Sequence, residues 1–140
     1  MSLRIHATTI AIGELGVMLI GPSGSGKSDL ALRLIDRGAR LVSDDYTAVR
    51  AVAGGLRATA PDTIAGKIEV RGIGIRAMPY IDEIAVALVI RLGGAVARMP
   101  ERNESTVIAG IAVPVVALDA FAASAPIKVE LALRDVRETL

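Results

Sequence analysis

Apolar and polar positions alternate loosely from Ile5 to Ile12, pause at "GELG", and resume as an unbroken apolar run from Val17 to Ile20. That pattern predicts two strands joined by a tight turn. The period then changes. Leu30, Ala31, Leu34 and Ile35 recur at spacings of three and four, predicting a helix from Lys27 to Arg37 with Gly38 placed to stop it. Leu41 and Val42 lead a short strand into Ser43, Asp44 and Asp45, so strand, loop, helix and strand make a βαβ-like unit.

Farther on, "YTAVRAVAGGLRATAP" reads as a hairpin turning at Gly54 and Gly55 and ended by Pro61. The stretch "APDTIAGKIEVRGIGIRAMPY" mixes glycine with alternating charge, the composition of exposed backbone held for a purpose. Ala85 to Leu92 reads as a buried strand. From Gly93 to Gly110 the chain turns polar and is expected to be a loop. Two more apolar stretches, Ile111 to Leu118 and Ile127 to Leu133, flank "DAFAASAP", and "RDVRETL" reads as a charged tail. With no internal repeat or linker, the 140 residues suit a single domain over residues 1–140.

Composition narrows the field. No apolar run reaches the roughly 18 residues of a membrane-spanning helix. The 16 basic and 15 acidic residues are spread evenly to a net charge of +1, which argues against general electrostatic binding to nucleic acid or anionic membrane. Cysteine is absent, so disulfides and thiolate metal sites are excluded, and "MSLRIHATT" lacks the apolar core of a signal peptide. A cytoplasmic protein is the expectation. The aromatic residues are Tyr46, Tyr80 and Phe121, too few for the serial stacking platforms of a single-strand nucleic-acid binder.

The strongest chemical signal is "GPSGSGKSD". It satisfies G-x-x-x-x-G-K-[ST] at Gly21, Gly26, Lys27 and Ser28, with an apolar strand before it and a helix pattern behind, as this phosphate-binding loop requires. Gly21, Pro22, Ser23, Gly24, Ser25 and Gly26 would turn backbone N–H groups toward phosphate oxygens, reinforced by the positive end of the helix. Lys27, one of three lysines in the chain, would reach the β- and γ-phosphates, and the Ser28 hydroxyl would ligate Mg²⁺. Asp29 favours the helix N-terminus electrostatically. A metal-side carboxylate is expected on a neighbouring strand end, and "LVSDDY" supplies Asp44 and Asp45. Successive strand residues face opposite sides, so the two should differ in task, one toward a metal or water and one toward an incoming acceptor.

A carboxylate that accepts a hydroxyl proton makes such a site a kinase. No N-K-x-D or L-S-G-G-Q segment is present, which disfavours GTPases and transport ATPases, and nucleoside monophosphate kinases usually need more chain. A small-molecule kinase stays open at this level.

With the glycine loop, the aspartate pair and "KIEVRGIGI" in that order, the sequence resembles the catalytic domain of bacterial HPr kinase/phosphorylases from about His6 to Val129. The family loop G-x-S-G-x-G-K-S-E is matched except that Asp29 replaces glutamate, and its "ADD" element appears as Ser43, Asp44 and Asp45. Its "E-[IV]-R-G-[LI]-G-I" signature appears as Glu69, Val70, Arg71, Gly72, Ile73, Gly74 and Ile75. The resemblance implies an α/β fold, a P-loop domain of the type related to phosphoenolpyruvate carboxykinases. It implies ATP- and Mg²⁺-dependent phosphorylation of a serine on HPr, the phosphocarrier of the sugar phosphotransferase system, with reversal by the same site. It further implies that Lys27 contacts phosphates, Ser28 and Glu69 serve Mg²⁺, Asp45 is the proton acceptor, and His6 and Arg98 support the chemistry. Arg71 would pair with a carboxylate and stiffen the signature loop.

Departures from the family pattern qualify those implications. The chain begins almost at His6, as in a short form without the family's N-terminal domain. The family's "P-V-R-P-G-R-N" loop, tied to dephosphorylation, corresponds to "AFAASAPIK", with Lys128 its one basic residue, so the kinase direction is better supported. The family's C-terminal helices are expected to be largely missing after Leu133, which bears on hexamer formation and acceptor docking. A small-molecule kinase and a nucleotide-sensing module without turnover are the alternatives.

Overall fold

A computed structural model of the chain describes residues 2–100 and 104–139. Strands β1 (Leu3–Ile12) and β2 (Leu15–Ile20) form the expected hairpin, with Ile12 opposite Leu15 around a turn whose Gly13 has φ 61°. Helix α1 (Lys27–Asp36) follows, buries Leu30, Ala31 and Leu34, and ends at Gly38, whose φ of 109° lets its N–H reach the Ile35 carbonyl at 3.0 Å. Strand β3 (Arg40–Ser43) pairs with β1, so the βαβ-like unit has an antiparallel strand inserted between its two parallel ones.

Strands β4 (Tyr46–Val52) and β5 (Gly55–Thr59) form the second hairpin. Its turn is Ala53 and Gly54, both at positive φ, one residue earlier than the sequence pattern suggested. Two left-handed residues match the twist of the flanking strands, which fixes the register there. A 3₁₀ turn (Asp62–Ile64) leads to a separate hairpin of β6 (Lys67–Val70) and β7 (Gly74–Ala77). Strand β8 (Glu83–Leu92) is the buried strand foreseen.

Two expectations need correction. The polar stretch from Gly93 to Gly110 contains strand β9 (Ser105–Ile108), which pairs with β10 (Ile111–Leu118) across Ala109 and Gly110, again both at positive φ; residues 101–103 of that stretch lie outside the described residues. The "charged tail" belongs to helix α2 (Ala125–Glu138), which also absorbs the apolar stretch from Ile127 to Leu133. Val129, Leu133 and Val136 share one face packed on the core, and the charged residues between them occupy the outer face.

β8 pairs in parallel with β2 and β10 and antiparallel with β5, so β1, β2, β8, β5 and β4 close into a ring of pairings. The central parts of β1, β2 and β8 are covered on both faces, whereas β4 and β5 bury one face inside the ring and turn Tyr46 and Arg50 outward. Ile10, Val17, Leu19, Leu41, Leu88 and Ile90 pack against α1 and α2, while the alternate residues Ala11, Met18, Val42 and Val89 pack inside the curled sheet with Val49, Leu56 and Ile84. Strands covered on both faces read as unbroken apolar runs, as β2 and β8 do. Among the described residues no helix is long and apolar enough to cross a membrane.

Candidate active site

Strands β2, β3, β8 and β10 point the same way, and their C-terminal ends lie at one edge, with Ile20 opposite Arg91 and Leu118 opposite Leu92. That edge is where ligands sit in parallel α/β sheets. The loop from Gly21 to Gly26 crosses it. A Cβ on Gly21 would lie 2.6 Å from both the Leu92 carbonyl oxygen and Ser25 Oγ, so only glycine fits against the end of β8. Gly26, at φ 92°, opens α1, and its Cβ would lie 2.9 Å from Ala120 Cβ.

Lys27 is 7% exposed, and its Nζ donates to the carbonyl oxygens of Gly21 at 2.8 Å and Pro22 at 3.0 Å. No carboxylate pairs with it among the described residues. Ser25 Oγ is buried in the same loop with no hydrogen-bond partner there. A buried cation held only by carbonyls, beside an orphaned hydroxyl and a helix N-terminus, is a site that an anion would complete.

The two aspartates do face different ways, but not by strand alternation: β3 ends at Ser43, and a bend at Asp44 and Asp45 turns them apart. Asp44 is 7% exposed, and its Oδ1 accepts from Thr8 Oγ1 at 3.0 Å and Ser28 Oγ at 2.6 Å, while Oδ2 accepts the Glu69 N–H at 3.0 Å. One carboxylate thus ties β1, the start of α1 and β6 together. Asp45 faces outward with 63% of its side chain exposed, at φ 69°, a left-handed conformation that aspartate tolerates better than most residues. His6 Nε2 donates to its Oδ1 at 2.9 Å, its own N–H donates to Thr8 Oγ1 at 3.2 Å, and the Tyr46 ring lies 5.2 Å from that of His6.

The remaining expected residues are placed unevenly. Glu69 meets the site through its backbone, and its side chain is exposed on β6, which Ile68 anchors in the core. Val70 lies beside it on β6. Arg71, Gly72 and Ile73 form the turn, closed by Ile73 N–H to the Val70 carbonyl at 3.0 Å, and Gly74 and Ile75 begin β7. Arg71 makes no ion pair among the described residues, so backbone bonds and not its guanidinium hold that turn. Arg98 is exposed after β8 and forms no hydrogen bond or ion pair with the residues above. Pro22, Ser23 and Gly24 are exposed at the loop's crest. Asp29 pairs with Arg33 at 3.1 Å across one turn of α1.

Thr8 was not foreseen. Its only signal was a pair of threonines, Thr8 and Thr9, in an otherwise apolar strand interior, where buried hydroxyls need partners.

The HPr Serine kinase C-terminal domain model matches residues 1–137. The HPr kinase/phosphorylase of Clostridium tetani is 35% identical over 98 residues, 70% of this chain and 32% of that protein. The corresponding Clostridium novyi protein is 43% identical over 78 residues, 56% of this chain and 25% of its own length. The chain thus spans about a third or less of these curated relatives. The solved structure of the Hpr(Ser) kinase/phosphatase from Coxiella burnetii superposes with a TM-score of 0.82 at 28% identity, covering 98% of this chain and 97% of that one. The likeness extends to the whole mixed sheet with its two helices. By the family model that spans it and the fold it shares, the chain belongs to the HPr serine kinase C-terminal domain family.

Proposed function

We propose that this chain transfers the γ-phosphoryl group of ATP to a serine of HPr in the cytoplasm, with Mg²⁺, as a regulator of carbon metabolism. The observation that carries the proposal is the hydrogen-bond chain from Ser28 through Asp44 and Thr8 to the Asp45 N–H. It couples a phosphate cradle to an exposed carboxylate. A base that must reach a hydroxyl on a bulky protein acceptor has to stand outside the cradle yet be fixed to it.

Lys27 Nζ would exchange the Gly21 and Pro22 carbonyls for phosphate oxygens. The Ser28 hydroxyl and Asp44, already 2.6 Å apart, are hard oxygen donors that suit Mg²⁺, which takes few protein ligands beside phosphate, and Glu69, whose backbone N–H meets Asp44, is assigned to the metal on the family resemblance. When bound, that ion neutralises charge on the phosphates. Asp45 would take the serine proton as the serine oxygen bonds to the γ-phosphorus and the bond from that phosphorus to the departing ADP breaks, while His6 holds the Asp45 carboxylate oriented. Arg98 is assigned to phosphate support on the family resemblance alone.

The test is incubation of the protein with labelled ATP, Mg²⁺ and purified HPr, beside Lys27→Ala and Asp45→Asn. Label on an HPr serine that disappears in both variants is the expected result. Label transferred only to a small metabolite, or nucleotide bound without transfer, would sink the proposal in favour of a small-molecule kinase or a nucleotide sensor.

A further inference from the structure

We propose that the loop between β10 and α2 is the nucleobase site, with Phe121 as its stacking platform; this rests on the nucleotide-binding reading above. In the sheet order β3, β1, β2, β8, β10, the glycine loop follows β2, Asp45 lies past the end of β3, and Phe121 lies past the end of β10. A triphosphate whose γ-end must face Asp45 directs its nucleoside toward the opposite flank of the cradle. Phe121 stands on that flank.

Its backbone is built, not loose. The Phe121 N–H donates to Asp119 Oδ1 at 2.9 Å, and the Ala125 N–H to the Ala122 carbonyl at 3.0 Å. Arg33, itself held by Asp29, donates to the carbonyls of Ala120 and Ala122, at 3.2 Å for the latter. Ala120 is buried beneath. With its neighbours clamped, the Phe121 side chain is nevertheless 71% exposed. Its ring edge, Cε1 and Cζ, lies 3.3 and 3.4 Å from where a Gly26 Cβ would be, so the ring abuts the last glycine of the cradle.

The other aromatics are committed elsewhere, Tyr46 against His6 and Tyr80 against Gly66. An aromatic face stacks on any base and supplies affinity without choosing among bases. The occupant is therefore the base of a nucleoside triphosphate, bound by stacking and with little preference between purines.

Binding of ATP and of inorganic tripolyphosphate, each with Mg²⁺, is measured by calorimetry on wild type, Phe121→Ala and Phe121→Trp. Phe121→Ala should weaken ATP on the order of 10-fold and leave tripolyphosphate unchanged. Phe121→Trp should keep ATP affinity, and as the chain otherwise has no tryptophan, its fluorescence should respond to ATP and not to tripolyphosphate. Unchanged ATP affinity in Phe121→Ala, or equal loss of both ligands, would overturn the platform while leaving the phosphate cradle intact as a reading. A wild type that binds neither ligand would overturn the nucleotide reading itself, and this inference with it.

Discussion

Replacing Asp44 with alanine removes one buried carboxylate and leaves three donors behind, the Thr8 and Ser28 hydroxyls and the Glu69 N–H. Hydrogen bonds to a charged group contribute about 1.5–3 kcal/mol each, so the gross loss over three is roughly 4.5–9 kcal/mol. Two effects reduce it. The variant no longer keeps an ion out of water, a cost of several kcal/mol, and the half-buried Ser28 can turn to solvent. Thr8 is fully buried, so its hydroxyl proton stays orphaned at a cost of about 1–3 kcal/mol. The net expectation is a loss of about 3 kcal/mol, from a total that in domains of this size is about 5–15 kcal/mol. Asp44→Asn keeps a carbonyl oxygen for the Glu69 N–H and offers an amide to hydroxyls that can rotate to accept, so it should cost about 1 kcal/mol. Urea unfolding with a constant slope reads both values from the midpoint. An alanine variant within about 0.5 kcal/mol of wild type, the range of ordinary surface changes, would refute the keystone role.

Gly26→Ala should abolish measurable nucleotide binding and lower the melting temperature, because its Cβ meets Ala120 and its φ of 92° disfavours any side chain; retained affinity by calorimetry would contradict the geometry. Leu88→Ala, fully buried beneath the helices, should lose about 2–5 kcal/mol in urea unfolding. Arg37→Ala, which breaks an exposed pair with Glu130 between α1 and α2, should leave the midpoint within experimental scatter in the same assay.

What could be read from the sequence was what is contiguous. The glycine loop and α1 with its Gly38 stop follow from local spelling, because turn chemistry and helical periodicity act over a few residues; Asp44 and Asp45 face apart through a bend beyond the end of β3, with Asp45 left-handed, which strand alternation does not predict. The missed features depend on residues far apart in the chain. Thr8 finds Asp44 only through the pairing of β1 with β3 and β4, and Phe121 meets Gly26 only because β10 joins the sheet beyond β8. Helix α2 was legible in principle, since Val129, Leu133 and Val136 keep helical spacing; the charged residues of its outer face disguised it as a tail. β9 is hidden by its brevity, and its signal is the Ala109–Gly110 turn. Arg98 lies on a segment without regular structure, where a sequence match fixes no position in space.

The glycine loop is backed by the Leu92 carbonyl at the end of β8, against which Gly21 is pressed. β8 pairs with β2 across roughly 70 residues of intervening chain, a closure whose entropy must be met before the contact exists. The glycine loop is therefore not an autonomous peptide motif. A nascent chain that has emerged through β7 carries every residue of the loop and none of its wall, so the nucleotide proposed above would have nothing to recognise until the sheet is complete. Ligand protection should accordingly appear in hydrogen exchange as a rise in the slowest, globally opening amides of β2 and β8, not as a local quieting of the loop.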